Sequence, residues 1–472
     1  MTKTRLFAFV VLLSFALGTS LLAVAQYERT PEQPGAQQEA VPYQAPPAAA
    51  VRQAGTVITP ASSIHRPEDA GLRAHTNYLL FAPTGRPMSS IRPDNTFAEY
   101  PASIACVYGV GPKYAGCVPA NNGKHSSGGW GAIALVDAFD NPNAASDLAY
   151  FSSYFGLPKA NFTKVYANSS FGNLGGLTAS CSGTPPGDTG WGLEIALDVE
   201  WAHAMAPSAK IILVEACSNS YNDLLYAEAV AGIKVSAAGG GEISNSWGSG
   251  EFAGEVGTVD DFFYRYYWKN ITYFASSGDS GWGAQYPSSS PWVVSAGGTT
   301  INRDASGNFL SESCWAGSGG GVSTYELWQS PPDILNGMGG WSGYQYELFG
   351  GFPYASGNRT TPDISFDADP ASGVWVYDTY GGGPWYVVGG TSLSAPALAG
   401  IVNVSKQKLG QAPPGGGYYY TGENNLLYSQ LYSFTAYPKN FYDVTTGSNG
   451  VNAGPGYDQC TGIGSPRGKL GK

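Results

Sequence analysis

The stretch LEIALDVEWAHAMAPSAKIILVEA (residues 193–216) contains both element types that set the fold. Residues 193–206 read as a helix, stopped by Pro207, which cannot continue one. AKIILVEA (209–216) reads as a buried strand, an apolar run of strand length. The same alternation extends both ways. Upstream, GAIALVDAF (131–139) reads as a strand and ASDLAYFSSYF (145–155) as an amphipathic helix. Downstream, NDLLYAEAVAGIKV (222–235) reads as a helix. EISNSWG (242–248) and ITYFASSG (271–278) read as strands, with a helical DDFFYRYYWKN (260–270) between them. WVVSAGG (292–298) is a further strand, and TSLSAPALAGIVNVSKQKL (391–409) opens tightly and continues as a helix. Alternating strands and helices predict an α/β fold, a parallel sheet with helices on both faces. Sites in such sheets lie at the carboxyl ends of the strands.

Composition excludes several function classes. The chain has 472 residues, with 35 acidic side chains against 24 lysines and arginines and a net charge of −11. Charged residues make only 12%, about half the usual share. Aromatics make 13%, and there are 65 glycines and 32 prolines. Disorder is excluded by the many aromatics and the low charge, and a nucleic-acid role by the acidic balance. A coiled coil would need Ala, Glu, Lys and Leu enrichment, which is absent. Sparse charge suits an acidic medium, since fewer carboxylates then lose a stabilising charge on protonation.

Lys3 and Arg5 precede an apolar run to about Leu22, followed by Ala23-Val24-Ala25. This pattern predicts a signal peptide over 1–25, cut before Gln26, and hence a secreted, extracellular protein. No later stretch approaches the ~20 apolar residues of a membrane span. Residues 26–100 read as a Pro/Ala-rich linker or short pro-segment, and 101–472 as the region where the pattern becomes regular. Six cysteines in an oxidising compartment predict disulfides. Proximity in sequence pairs Cys106 with Cys117 and Cys181 with Cys217, leaving Cys314 with Cys460.

Gly389-Gly390-Thr391-Ser392-Leu393-Ser394-Ala395-Pro396 puts a small hydroxyl residue in the first turn of a helix. The backbone N–H there is free and the helix dipole favours an anion, as a nucleophilic serine with an oxyanion-hole amide requires. An ordinary N-cap is the plainer reading of Gly-Thr-Ser alone. The longer string GGTSLSAPALAGIV resembles the serine motif of the subtilisin-like superfamily. The base is the difficulty. Only His65, His75, His125 and His203 exist, and no His-Gly-Thr motif accompanies them. Glu194 and Asp198 are the alternative. At i, i+4 they share one helix face, and among Leu193, Ile195, Leu197 and Val199 that helix is largely buried. Two such carboxyls hold a proton between them, which raises one apparent pKa and supplies a base in acid.

These residues resemble one family, the sedolisins or serine-carboxyl peptidases. The matching motifs are Glu194-Ile195-Ala196-Leu197-Asp198, Ser276-Ser277-Gly278-Asp279-Ser280-Gly281 and Gly390-Thr391-Ser392, in the family's order. The resemblance implies a subtilisin-like sheet, Glu194 as base, Asp198 orienting it, Ser392 as nucleophile and Asp279 in the oxyanion hole. A carboxyl can donate a hydrogen bond there only when protonated. Ser244-Asn245-Ser246-Trp247-Gly248 is similar to the strand lining the family's cleft. Asp137 and Trp247 are implied to support the carboxylates from behind. Asp443-Val444, Gly454, Gly456 and Asp458 resemble the family's calcium site. Two side-chain carboxylates plus the carbonyls of Val444, Gly454 and Gly456 would hold one structural Ca2+, and all-oxygen donors suit such a cation. A plain turn cluster is the other reading of these residues.

The expectation is therefore a serine-type endopeptidase that hydrolyses protein or peptide substrates at acidic pH. No nucleic-acid or membrane partner is expected, and the chain is expected to be monomeric. A catalytically silent peptidase-like binding protein is the alternative. A glycosidase is disfavoured, because its two carboxyls must flank a sugar and adjacent turns of one helix do not. The upstream region is shorter than the family's folded pro-domain, and the Gly/Tyr-rich stretch 328–358 departs from the family pattern.

Overall fold

The computed structural model describes residues 39–42, 54–93, 98–119, 124–255, 270–327, 358–405, 427 and 435–469. The expected signal peptide, residues 260–269 and 406–409 of two expected helices, and residues 328–357 of the Gly/Tyr-rich stretch lie outside them.

Among the described residues the centre is an eight-stranded sheet. Phe309–Cys314, Val293–Arg303, Ile271–Ser276, Gly241–Asn245, Ala132–Ala138, Lys210–Ala216 and Asn161–Ala167 follow one another across it, and Ile364–Asp367 pairs with Val293–Arg303 as well. Every pairing is parallel except that of Phe309–Cys314. The strand Ala132–Ala138 shows how the sheet is covered. Ile133 and Leu135 join a core with the helices Thr189–Met205 and Thr391–Val404. Ala132, Ala134, Val136 and Ala138 join a second core with the helix Tyr221–Ala237. Successive side chains of a strand point to opposite faces, so both faces are covered, as the alternating sequence requires. Asp137 has the parity of Ile133 and Leu135 and faces the first pair of helices.

Two boundaries differ from the sequence reading. The helix carrying Glu194 begins at Thr189, because Asp188 caps it and accepts from the Gly190 and Trp191 N–H groups, each at 2.9 Å. Gly190 and Gly192 interrupt the apolar pattern that would have marked this turn. The strand expected at 242–248 breaks at Ser246. Gly241–Asn245 stays in the main sheet, while Trp247–Gly250 pairs antiparallel with His75–Thr76 and with Gln285–Tyr286.

Part of residues 26–100 lies in a second sheet. Glu39–Pro42, Gly55–Thr59 and Leu79–Pro83 form an antiparallel sheet with Trp385–Gly389 and Val374–Tyr377. Leu79–Pro83 is an apolar run, but its pairing with Trp385–Gly389 spans about 300 residues, which local composition does not reveal. Cys106–Cys117, Cys181–Cys217 and Cys314–Cys460 are bonded as expected.

Candidate active site

The serine helix Thr391–Val404 follows directly on the strand Trp385–Gly389, joined by Gly390 alone. Gly390 has φ +104°, and a Cβ there would lie 2.3 Å from the Asn77 carbonyl oxygen and 2.4 Å from Asp279 Oδ2. Only glycine permits this turn. The turn aims Ser392 at the carboxylate helix. Ser392 Oγ donates to Glu194 Oε2 at 2.8 Å and lies 3.1 Å from the Ser246 carbonyl.

Glu194, Asp198 and Asp137 form one buried carboxyl cluster. All three side chains are 0% exposed. Burial pushes the Glu194 carboxyl well up, and the charges of Asp198 and Asp137 push it further. Burial, then Asp137, do the same to Asp198. Burial raises Asp137. The Glu194 and Asp198 carboxyls are in hydrogen-bond contact, and Glu194 Oε1 and Asp198 Oδ2 have no partner outside the cluster. Among the described residues no lysine or arginine pairs with any of the three. Without a cation, three adjacent buried carboxyls must share protons.

Ser246 fixes the far end of this pair. Its Oγ lies 2.7 Å from Asp198 Oδ1 and 3.1 Å from the Ser392 carbonyl oxygen. That carbonyl would normally accept from the N–H four residues on, but Pro396 has none. A hydroxyl has one proton for two acceptors. When Asp198 is protonated it donates to Ser246, and Ser246 donates to the Ser392 carbonyl.

Asp279 stands on the other side of the serine. Its Oδ1 accepts from the Thr391 N–H at 2.8 Å and the Thr391 hydroxyl at 2.9 Å. Its Oδ2 is buried with no partner. Burial pushes this carboxyl up to about 8, against the pull of both Thr391 hydrogen bonds. A protonated Oδ2 is thus a hydrogen-bond donor beside Gly390, next to the Ser392 N–H. Such a pair can stabilise an oxyanion.

The expected support from behind divides. Asp137 belongs to the carboxyl cluster. The Trp247 indole N–H donates to the Val136 carbonyl at 2.9 Å, on the strand that carries Asp137. None of the four histidines is bonded to Ser392. His75 and His125 bond their own neighbours' carbonyls, His203 bonds the Pro158 carbonyl, and His65 packs edge-on against His75.

Asp443 and Asp458 close on one turn. Asp443 Oδ1 accepts from the Gly456 N–H at 2.9 Å, and Asp458 Oδ2 from the Gly454 N–H at 3.0 Å. The Tyr437 hydroxyl lies 3.1 Å from Asp443 Oδ1 and 3.4 Å from the Gly456 carbonyl oxygen. Val444 is buried beside Asp443. No lysine or arginine among the described residues pairs with either carboxylate. Asp458 Oδ1 also accepts from the Cys460 and Thr461 N–H groups; carboxylate and carbonyl oxygens are the kind of donors a hard divalent ion takes.

The subtilase family model matches residues 179–454, more than half the chain. Kumamolisin of Bacillus sp. (strain MN-32) is 31% identical over 374 residues, covering 71% of this chain and 58% of that protein. Sedolisin of Pseudomonas sp. (strain 101) is 28% identical over 227 residues, covering 41% and 33%. The chain belongs to the sedolisin family. Within the subtilisin-like superfamily, it spans between about one third and three fifths of these two relatives. The structure of Pseudomonas sedolisin, a serine-carboxyl proteinase complexed with two molecules of pseudo-iodotyrostatin, superposes with a TM-score of 0.55 at 24% identity. It covers 79% of this chain and 96% of its own. That likeness establishes the fold.

Two residues of this sedolisin-family site escaped the sequence. Ser246 lay inside a quoted motif, but the strand break that turns it inward leaves no periodic signal. Asn77 donates its backbone N–H to Ser392 Oγ at 3.1 Å, and its carbonyl accepts from the Ser392 N–H at 2.9 Å. Nothing in the surrounding HTNY marks it, because the contacts are made by backbone atoms that every residue has.

Proposed function

We propose that this chain is a secreted serine-carboxyl endopeptidase that hydrolyses proteins at acidic pH. The observation that carries the reading is the 2.8 Å contact of Ser392 Oγ with Glu194 Oε2 inside a buried carboxyl cluster. Ser392 attacks the peptide carbonyl and passes its proton to Glu194. Asp198, holding the shared proton, keeps Glu194 oriented and limits the negative charge of the cluster. The Ser392 N–H and protonated Asp279 stabilise the oxyanion. Two such donors are together worth several orders of magnitude in rate, at roughly 10²–10³ each. The protonated donor and the shared proton favour acid. A base with a raised pKa replaces the missing histidine.

Asp443, Asp458 and the carbonyls of Val444, Gly454 and Gly456 would hold one Ca2+. Bound there, the ion would cross-link two C-terminal turns. Secretion rests on the pattern of residues 1–25.

Hydrolysis of denatured protein between pH 3 and 7 tests the reading, with wild type and Ser392→Ala in parallel. Activity that rises in acid and disappears in the variant is expected. Equal activity in both, or none in calcium-loaded wild type, overturns it.

A further inference from the structure

Residues 73–80 lie across the site in the manner of a bound peptide. On one side His75–Thr76 pairs antiparallel with Trp247–Gly250, His75 opposite Gly248 and Thr76 opposite Trp247. On the other, Leu79 stands opposite Gly389, three residues before the serine, as the strand Leu79–Pro83 pairs antiparallel with Trp385–Gly389. Between the two pairings, the N–H and the carbonyl of Asn77 both engage Ser392. The Asn77 oxygen and Asp279 Oδ2 crowd the same point beside Gly390. The Asn77–Tyr78 peptide bond is thus held where a cleaved bond would be.

The Asn77 side chain fills a polar slot that reads its amide nitrogen, while its Oδ1 is buried with no partner. Its Nδ2 donates to Ser276 Oγ at 2.7 Å and lies 3.4 Å from Gln285 Oε1. The Ser276 hydroxyl lies 3.4 Å from the Asn245 carbonyl, which leaves its oxygen as the acceptor for the amide. Gln285 reaches the slot over two glycines: a Cβ on Gly248 would lie 2.8 Å from its Oε1, and one on Gly278 2.7 Å from its Cδ. Ser276 and Gln285 are buried. An apolar side chain in this place would leave Ser276 Oγ and Gln285 Oε1 without the donor they accept from, the kind of arrangement that discriminates strongly between substrates.

We propose that the site prefers a side-chain carboxamide, asparagine, on the acyl side of the cleaved bond, with Ser276 and Gln285 reading it, and that Asn77–Tyr78 is such a bond in the chain itself. This rests on the peptidase reading above. Ser392 Oγ adds to the Asn77 carbonyl carbon and its proton moves to Glu194. The C–N bond then breaks, and the Tyr78 amine leaves with that proton. Water adds to the Asn77–Ser392 ester and gives a proton to Glu194. The ester bond breaks to a carboxylic acid, and the proton returns to Ser392 Oγ.

The test uses octapeptides Arg-Ala-His-Thr-X-Tyr-Leu-Leu with X as Asn or Leu, together with denatured protein and N-terminal sequencing of the acid-incubated full chain. Wild type should cut the Asn peptide with about tenfold or greater kcat/KM over the Leu peptide, and should acquire an N-terminus at Tyr78. Ser392→Ala should do neither. Gln285→Leu should bring the two peptides to within about twofold while still cutting the Leu peptide, which shows that it folds. Ser276→Ala is the second, milder variant, with the ratio reduced. Cleavage of denatured protein with no Asn preference, a ratio unchanged in both variants, or a new N-terminus elsewhere overturns the inference and leaves the peptidase reading standing. No Ser392-dependent cleavage of any substrate overturns both.

Discussion

Ser246 Oγ lies 2.7 Å from Asp198 Oδ1 and sits directly behind the nucleophile, because its other contact is the Ser392 carbonyl oxygen. One hydroxyl therefore joins the end of the carboxyl pair to the first turn of the serine helix. Its hydrogen bond lowers the Asp198 pKa against burial. Ser246→Ala should lower kcat about tenfold with little change in KM. The ascending acid limb of the rate profile should move to higher pH, since the pair then ionises later. The orphaned Ser392 carbonyl should cost about 1–2 kcal/mol of stability, measured by denaturant unfolding.

Asp279 must hold its proton to donate. Burial raises its pKa, so the alkaline limb of activity should follow the loss of this proton. Asp279→Ala should reduce kcat by roughly 10². Asp279→Asn keeps a donor that does not titrate, so it should retain more activity than the alanine variant. Its alkaline limb should extend to higher pH in a kcat–pH series.

The buried carboxyls also make stability depend on pH. Their folded pKa values are raised, so between about 4 and their folded values the native state holds protons that the unfolded chain has lost. Stability then falls as pH rises through that window, and is fullest below it. Asp137→Asn removes one of these groups. It should raise stability at pH 7 by on the order of 1–2 kcal/mol and leave pH 3.5 nearly unchanged. Thermal melts at the two pH values check this. The same variant should shift the acid limb of activity downward, because Asp137 is one of the charges that raise Glu194 and Asp198.

Chelation should lower the melting temperature if Asp443 and Asp458 hold calcium. At free calcium about 100-fold above the dissociation constant the ion adds about 2.7 kcal/mol. Asp458→Asn should melt lower in calcium and lose most of its response to chelator. An unchanged melt in wild type would refute the site.

The main sheet was legible because its strands are continuous apolar runs between helices, the signature of burial on both faces. Ser392, Glu194, Asp198 and Asp279 were legible as motifs, and the structure brings all four together. The three disulfides followed from proximity and elimination. What sequence did not carry was long-range pairing. Leu79–Pro83 pairs with Trp385–Gly389, far along the chain, as well as with Gly55–Thr59. Asn77 reaches the serine through its backbone. Trp247 kept its place but not its partner: the indole serves the Val136 carbonyl, a choice set by the turn at Ser246. The start of the carboxylate helix was hidden by glycines that Asp188 compensates.

The strand Leu79–Pro83 has a neighbour on each side: Gly55–Thr59 pairs with it on one and Trp385–Gly389 on the other. A cut at Asn77–Tyr78 would therefore be a nick rather than a release. The piece ending at Asn77 would stay clamped through Gly55–Thr59 to the strand just downstream of the break. Two bands on a denaturing gel would migrate as one species on a sizing column, and exchange of the departed acyl segment for another peptide would be governed by how fast that ladder of hydrogen bonds frays.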